Sequence, residues 1–275
     1  MIGSLRIFFV ILIFALFTLP LLPVQYVSMR LERFVHKSLP RFWHIIIAKL
    51  LGLRIEVTGE LVKDRPLLIV SNHSSWADIV VLSTLAELSF IAKSEVKTWP
   101  LFGLFAVLQR SVFVERNLKH KAADQANTIA ERLTKGDAMV LFAEGTTSDG
   151  NRILPFKSSL FGAAQLALCD TDAHKVLIQP VSIAYTKVQG LPMGRYMRPV
   201  TSWPGSVSLI TNLLVVVRAG AVDIEVRIGA PVEFTMKSDR KLVASEMERQ
   251  VRAMMQTSLM CRPIEPAILN SDKSV

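Results

Sequence analysis

Cysteine is nearly absent. Cys169 and Cys261 are the only two in 275 residues, and they form no CxxC pair. A disulfide framework and a zinc knuckle are thereby excluded, and a reducing compartment fits. Aromatic residues are few, at 8%, and the 32 Lys and Arg residues are scattered, with no basic block. Cations without interleaved aromatics argue against a nucleic-acid partner. The net charge of +9 still calls for something anionic, which leaves a lipid headgroup surface or a phosphorylated or acidic substrate. No Gly-x-Ser-x-Gly elbow is present, so a serine-esterase mechanism has no nucleophile to point to.

Charge is missing altogether from Ile7 to Met29, where most residues are Ile, Leu, Phe or Val. An uncharged run of this length can span or deeply enter a bilayer. A cleaved signal peptide is the alternative, but only Arg6 precedes the run and no small-x-small site follows it. Pro20 and Pro23 imply a kink, or a helix that enters one leaflet. Arg30, Arg33, Lys37 and Arg41 follow against Glu32 alone, so the positive-inside rule places the remaining chain on the cytoplasmic side. From Phe42 to Leu53 the chain is again apolar and too short to span, as in an interfacial or packed helix.

Beyond this point short β-like runs alternate with helical segments. Strands are expected at 67–70, 88–91, 112–114, 138–142, 176–185 and 224–228, and helices at 78–85, 118–133, 158–168 and 241–255. Such alternation predicts an α/β fold, a largely parallel sheet flanked by helices, behind an N-terminal membrane-anchoring segment. The expected division is an anchor and interfacial helix over 1–54, one α/β domain over 55–260, and a tail over 261–275.

Polar clusters fall at three of these strand ends. Leu67–Val70 runs into Ser71-Asn72-His73, Val112–Val114 into Glu115-Arg116, and Met139–Phe142 into Ala143-Glu144-Gly145-Thr146. In parallel α/β sheets ligands bind beyond the carboxyl ends of the strands, so the three clusters can converge on one crevice. Asp78 lies five positions after His73, about 140° away on one ideal helix, so the two would not share a face. A helix beginning near Ser75 solves this, with His73 in the preceding loop and Asp78 reaching back from the first turn. A carboxylate that fixes the imidazole tautomer is what a general base acting on a hydroxyl needs. Ser75-x-x-Asp78 also reads as a capping box. Arg116 can grip a phosphate or carboxylate bidentately, or be one half of a solvated pair with Glu115. Glu144-Gly145-Thr146 offers a carboxylate, a close-approach glycine and N–H groups around an anion, or a plain surface turn. Lys157, ahead of a helix, adds a charge near the same place.

Four ordered blocks, His73/Asp78, Val112–Arg116, Phe142–Ser148 and Val176–Ile183 with Pro180, resemble the glycerolipid acyltransferase family over roughly residues 55–235. Its best-known members make phosphatidic acid from lysophosphatidic acid. The resemblance implies that His73 deprotonates an acceptor hydroxyl and Asp78 orients it. The alkoxide attacks the thioester of acyl-CoA or acyl carrier protein. Arg116, Glu144, Gly145, Thr146 and Lys157 shape the acceptor site, with no metal and no cofactor. It implies a bacterial inner-membrane location, with a lysolipid acceptor and membrane lipids as partners.

Two positions depart from the pattern: Ala143 stands for Pro, and Thr147 for an Arg common in phosphate-using members. The segment from Glu144 to Lys157 also resembles the branch that acylates lyso-ornithine lipid, which has no phosphate. Lysophosphatidic acid is the first expectation and lyso-ornithine lipid the second. A catalytically silent, membrane-tethered lipid-binding protein is the reading from another class, against which the intact His73, Asp78 and Glu144 count.

Overall fold

The computed structural model describes residues 2–31, 35–115, 119–169, 175–204 and 208–260. Two long helices come first, α1 (Ile2–Arg30) and α2 (Val35–Leu51). They lead into β1 (Leu53–Thr58) and β2 (Leu67–Ser71), then α3 (Ala77–Leu85), β3 (Leu88–Lys93), α4 (Phe102–Leu108) and β4 (Val112–Val114). Next come α5 (Lys119–Thr134), β5 (Ala138–Phe142), α6 (Gly162–Cys169) and the long β6 (Val176–Val188). After β7 (Leu191–Pro192), α7 (Arg198–Thr201) and α8 (Leu209–Ala219), the chain closes with β8 (Val222–Ile228), β9 (Val232–Phe234) and α9 (Arg240–Leu259).

The strands form one mixed sheet in the order β1-β8-β6-β2-β5-β3-β4, with β7 and β9 also on β6. The run β6-β2-β5-β3-β4 is parallel, as expected, and β8 turns the direction by pairing antiparallel with β6. The period of two along each strand divides the core. Leu67 and Ile69 of β2 join Val140 and Phe142 of β5 beneath α1, α2, α3 and α8. Leu68 and Val70 join Met139 and Leu141 beneath α5, α6 and α9. With both faces covered, the central strands read as continuous apolar runs, which is why Leu-Leu-Ile-Val and Ala-Met-Val-Leu-Phe were recognisable as strands.

Pro180 sits mid-strand in β6, where a proline usually breaks pairing. It is tolerated because β6 changes partner there: residues 176–178 pair with β9 and residues from 181 onward with β8. Its carbonyl still accepts from Gly229 N at 2.9 Å. The approach is close enough that a Cβ on Gly229 would lie 2.8 Å from the proline ring.

Two expectations need correcting. The boundary drawn at residue 54 cuts through β1, which begins at Leu53 and pairs in parallel with β8. Its alternation of Leu53, Ile55 and Val57 with Arg54 and Glu56 is the pattern of a strand at the sheet edge, and it had no place in the expected strand set. The anchor is also no separate body. α1 is one helix through Pro20 and Pro23, and one side of it packs along the domain. Near its start, Arg6 donates to Val217 O (2.7 Å), Gly220 O (3.0 Å) and Leu51 O (3.3 Å), closing the C-terminal ends of α8 and α2. Further on, Val10 is buried, Phe14 packs on Trp43 and Phe105, and Gln25 donates to Leu108 O. Its other side leaves Phe8, Ile11, Leu12, Leu16 and Leu19 exposed. The expected tail, 261–275, lies outside the described residues.

Candidate active site

His73 lies two residues past the end of β2, in the loop before α3, and its Nδ1 is 2.9 Å from Asp78 Oδ2. The helix begins at Ala77, and Asp78 in its first turn points back over the loop. Asp78 Oδ2 also accepts the backbone N–H of Ser74 (2.7 Å) and of Ser75 (2.9 Å), while Ser75 Oγ accepts from Ala77 N (3.3 Å). The capping box and the His–Asp pair are therefore one arrangement, not alternatives. Asp78 is fully buried, and its second oxygen, Oδ1, accepts the phenolic proton of Tyr185 at 2.8 Å.

These contacts fix the chemistry of the ring. A carboxylate only accepts, so Nδ1 carries the proton and Nε2 of the neutral imidazole presents a lone pair. The ring is stacked on Phe142, the last residue of β5, with centroids 3.9 Å apart and planes 12° from parallel. Its side chain keeps 16% exposure, enough for a reacting group to reach it. Burial and the Asp78 charge push the Tyr185 hydroxyl well above the usual phenol range, so it remains a donor.

Glu144 joins two loops. Its Oε1 accepts from His73 N (2.7 Å) and its Oε2 from Leu154 N (2.8 Å). It is buried and offers no free carboxylate to a headgroup, contrary to the acceptor-binding place expected for it. Burial pushes it up to about 7, against the two backbone donors, and nearby Asp78 adds to the rise. Gly145 turns the chain at φ +72, a left-handed angle that glycine adopts without strain. Ser148 N then donates back to His73 O at 2.8 Å. Asn72, just before His73, makes a paired bond with Ile183 of β6 through both its oxygen (2.8 Å) and its nitrogen (2.9 Å). The histidine loop is thus held from β6, from α3 and from the turn after β5.

The remaining expected residues are less gathered. Thr146 is exposed beside this turn, and Lys157 is exposed, tied to the site only through its backbone N–H to Ala143 O at 2.9 Å. Arg116 lies outside the described residues. Tyr185 was missed by sequence reasoning. Its one signal was a tyrosine at a core-facing position of a largely buried strand, which needs a buried partner for its hydroxyl.

A family model described as Acyltransferase matches residues 54–184, which include His73, Asp78 and Glu144 and end one residue before Tyr185. A lyso-ornithine lipid O-acyltransferase of Brucella abortus strain 2308 is 54% identical over 267 residues, 97% of this chain and 100% of that one. The chain belongs to the acyltransferase family. This acyltransferase is also similar to a lyso-ornithine lipid O-acyltransferase of Rhizobium meliloti strain 1021, at 47% identity over 89% of this chain and 84% of the relative. A 1-acyl-sn-glycerol-3-phosphate acyltransferase of Neisseria gonorrhoeae is 32% identical over 68% of this chain and 69% of its own. The crystal structure of a 1-acyl-sn-glycerophosphate acyltransferase from Thermotoga maritima shares the fold. Its TM-score is 0.65 over 95% of this chain and 96% of that one, at 22% identity.

Proposed function

We propose that this acyltransferase moves a fatty acyl group from a thioester donor, acyl-CoA or acyl carrier protein, onto the free hydroxyl of lyso-ornithine lipid. The observation that carries the acceptor is the pattern of similarity. Relatives named for that reaction are 54% and 47% identical over most of the chain, against 32% over 68% for one named for the glycerophosphate. This reverses the order expected from the sequence, where lysophosphatidic acid came first. Thr147 supports the reversal, because it supplies no guanidinium for a phosphate.

In this reading His73 Nε2 takes the proton from the acceptor hydroxyl as its oxygen attacks the thioester carbonyl. Asp78 holds the ring and stabilises the imidazolium that forms. The tetrahedral intermediate collapses with cleavage of the C–S bond, and the thiol leaves with the proton that His73 returns. Glu144 and Tyr185 serve as positioning residues, one for the backbone of His73 and one for Asp78. The outer face of α1, with the exposed Phe8, Ile11 and Leu16, lies in the cytoplasmic leaflet of the inner membrane and brings the site to its lipid substrates.

The test is a parallel assay of the purified full chain with acyl-CoA or acyl carrier protein as donor. It is offered lyso-ornithine lipid and 1-acylglycerol-3-phosphate at equal concentration. A preference for lyso-ornithine lipid of at least tenfold in kcat/KM is expected. Equal use, or preference for the phosphate acceptor, overturns the assignment.

A further inference from the structure

Helix α8 carries an asparagine on its buried face. Leu209, Leu213, Val216 and Val217 pack against the core from this helix, and Asn212 sits among them, 4% exposed. A polar side chain in such a place costs stability unless its hydrogen-bonding groups are used. Asn212 uses both ends of its amide. Its nitrogen donates to Ser202 O at 2.8 Å and to Val200 O at 3.4 Å, at the end of α7. With the nitrogen so placed, the oxygen is left for the indole N–H of Trp76, which it accepts at 2.9 Å.

Trp76 is the residue from which α3 starts, three positions after His73 and two ahead of Asp78. Its side chain is buried, and an indole nitrogen can only donate, so Asn212 Oδ1 meets the one polar demand of the ring. The backbone on either side of Trp76 is the frame of the catalytic pair. Ser74 N and Ser75 N donate to Asp78 Oδ2, and Asp78 N donates to Ser75 O at 3.1 Å. The chain from Ser74 to Asp78 is thus one closed turn, and a displaced Trp76 carries Asp78 away from His73 Nδ1.

The segment that fixes the Asn212 amide touches the same loop. Trp203, next to Ser202, donates its N–H to Ser74 O at 2.6 Å. Ser202 Oγ donates to Asp149 O at 3.1 Å, one residue past the Ser148 whose N–H donates to His73 O. At its far end α8 is held by Arg6 through Val217 O and Gly220 O, so the helix that presents Asn212 is anchored at both ends.

We propose that Asn212 is a positioning residue for acyl transfer: by holding the Trp76 indole it sets the first turn of α3, and with it the distance between Asp78 and His73. It touches neither the imidazole nor the carboxylate. Packing alone does not call for an asparagine here, because a leucine would match its neighbours on the helix face and fill a similar volume. The inference rests on His73 as the base, as proposed above, and is independent of the acceptor.

The test uses the full chain in detergent, with whichever of the two lysolipids it turns over faster. Asn212→Leu keeps the apolar contacts and removes the hydrogen bonds. Its kcat should fall roughly 10–100-fold while KM for donor and acceptor stays within about twofold. A loosened Asp78 stabilises the imidazolium less, so the acidic limb of the kcat/KM profile should move to lower pH. A variant that merely folded poorly would lose active enzyme without moving the limb. Trp76→Phe removes the same indole N–H from the other side and should show the same fall and the same direction of shift, and it carries both readings alone if Asn212→Leu does not fold. The double variant should lose little more than either single one, since the same contact is removed. Unchanged kcat in either variant, an unmoved limb, or losses that multiply in the double variant overturn the inference. His73→Ala is assayed alongside: retained activity there overturns the reading of His73 and this inference with it, whereas an inactive His73→Ala beside an unaffected Asn212→Leu overturns this inference alone.

Discussion

Tyr185 and Asp78, 107 residues apart in the chain, meet through a 2.8 Å hydrogen bond in which the phenol donates to Oδ1. The other oxygen of Asp78 is left to His73 and two backbone N–H groups, so both oxygens of the carboxylate are held in place.

Tyr185→Phe removes that donor and little else. A hydrogen bond to a charged group contributes about 1.5–3 kcal/mol, so kcat should fall by roughly one to two powers of ten. KM should be nearly unchanged, since the phenol touches no substrate. With one donor fewer, Asp78 is the stronger base toward the imidazole, and the acidic limb of the kcat/KM profile should move to higher pH. A fall in kcat with an unmoved limb would assign Tyr185 to packing alone.

Glu144 gives a pH signature of folding. Its folded value is raised from 4.5 to about 7 by burial. The stability it contributes is therefore fully present below about pH 4.5 and is lost as pH rises through 7. Asp137 has the opposite sign. Burial pushes it up, but Lys37, Arg132 and Arg110 outweigh that and hold it at about 2, so its stability is lost only as pH falls from 3.8 through 2. Glu144→Gln should flatten the decline between pH 4.5 and 7 in thermal unfolding. It should also cost on the order of 1–3 kcal/mol, because one backbone N–H then faces an amide NH₂. An unchanged slope in the variant would place the titration elsewhere.

Arg6 tests whether α1 is part of the domain. It donates to three backbone carbonyls at the ends of α2 and α8. Arg6→Ala should lower the unfolding free energy by about 1.5–3 kcal/mol in detergent. Deletion of residues 2–30 should leave the domain poorly soluble even with no membrane present, since Val10, Phe14 and Phe17 cover its core. A soluble, fully active truncated domain would make α1 a mere tether.

Much of this was legible beforehand, for reasons that differ by region. Central strands buried on both faces announce themselves as apolar runs, and the polar residues that break them, Asn72-His73 and Glu144-Gly145, marked the site. Edge strand β1 was missed because half of its side chains face water. Helix α8 was missed, although Leu209, Asn212, Leu213, Val216 and Val217 recur at helical spacing and form its buried face. Arg6 reads as a flanking charge until folding brings three carbonyls to it. Glu144 reads as a headgroup ligand because sequence shows a carboxylate but not that backbone donors occupy both oxygens. Tyr185 was out of reach, since only the pairing of β6 with β2 carries it to Asp78.

The central claim is that His73 Nε2 is the base for the acceptor hydroxyl. It is tested most directly by the single-turnover acyl-transfer rate of His73→Ala, measured on protein whose circular dichroism and membrane recovery match the unaltered chain. Loss of a general base should slow the step by about 10²–10⁴. A variant that keeps more than half of the original rate would contradict the account.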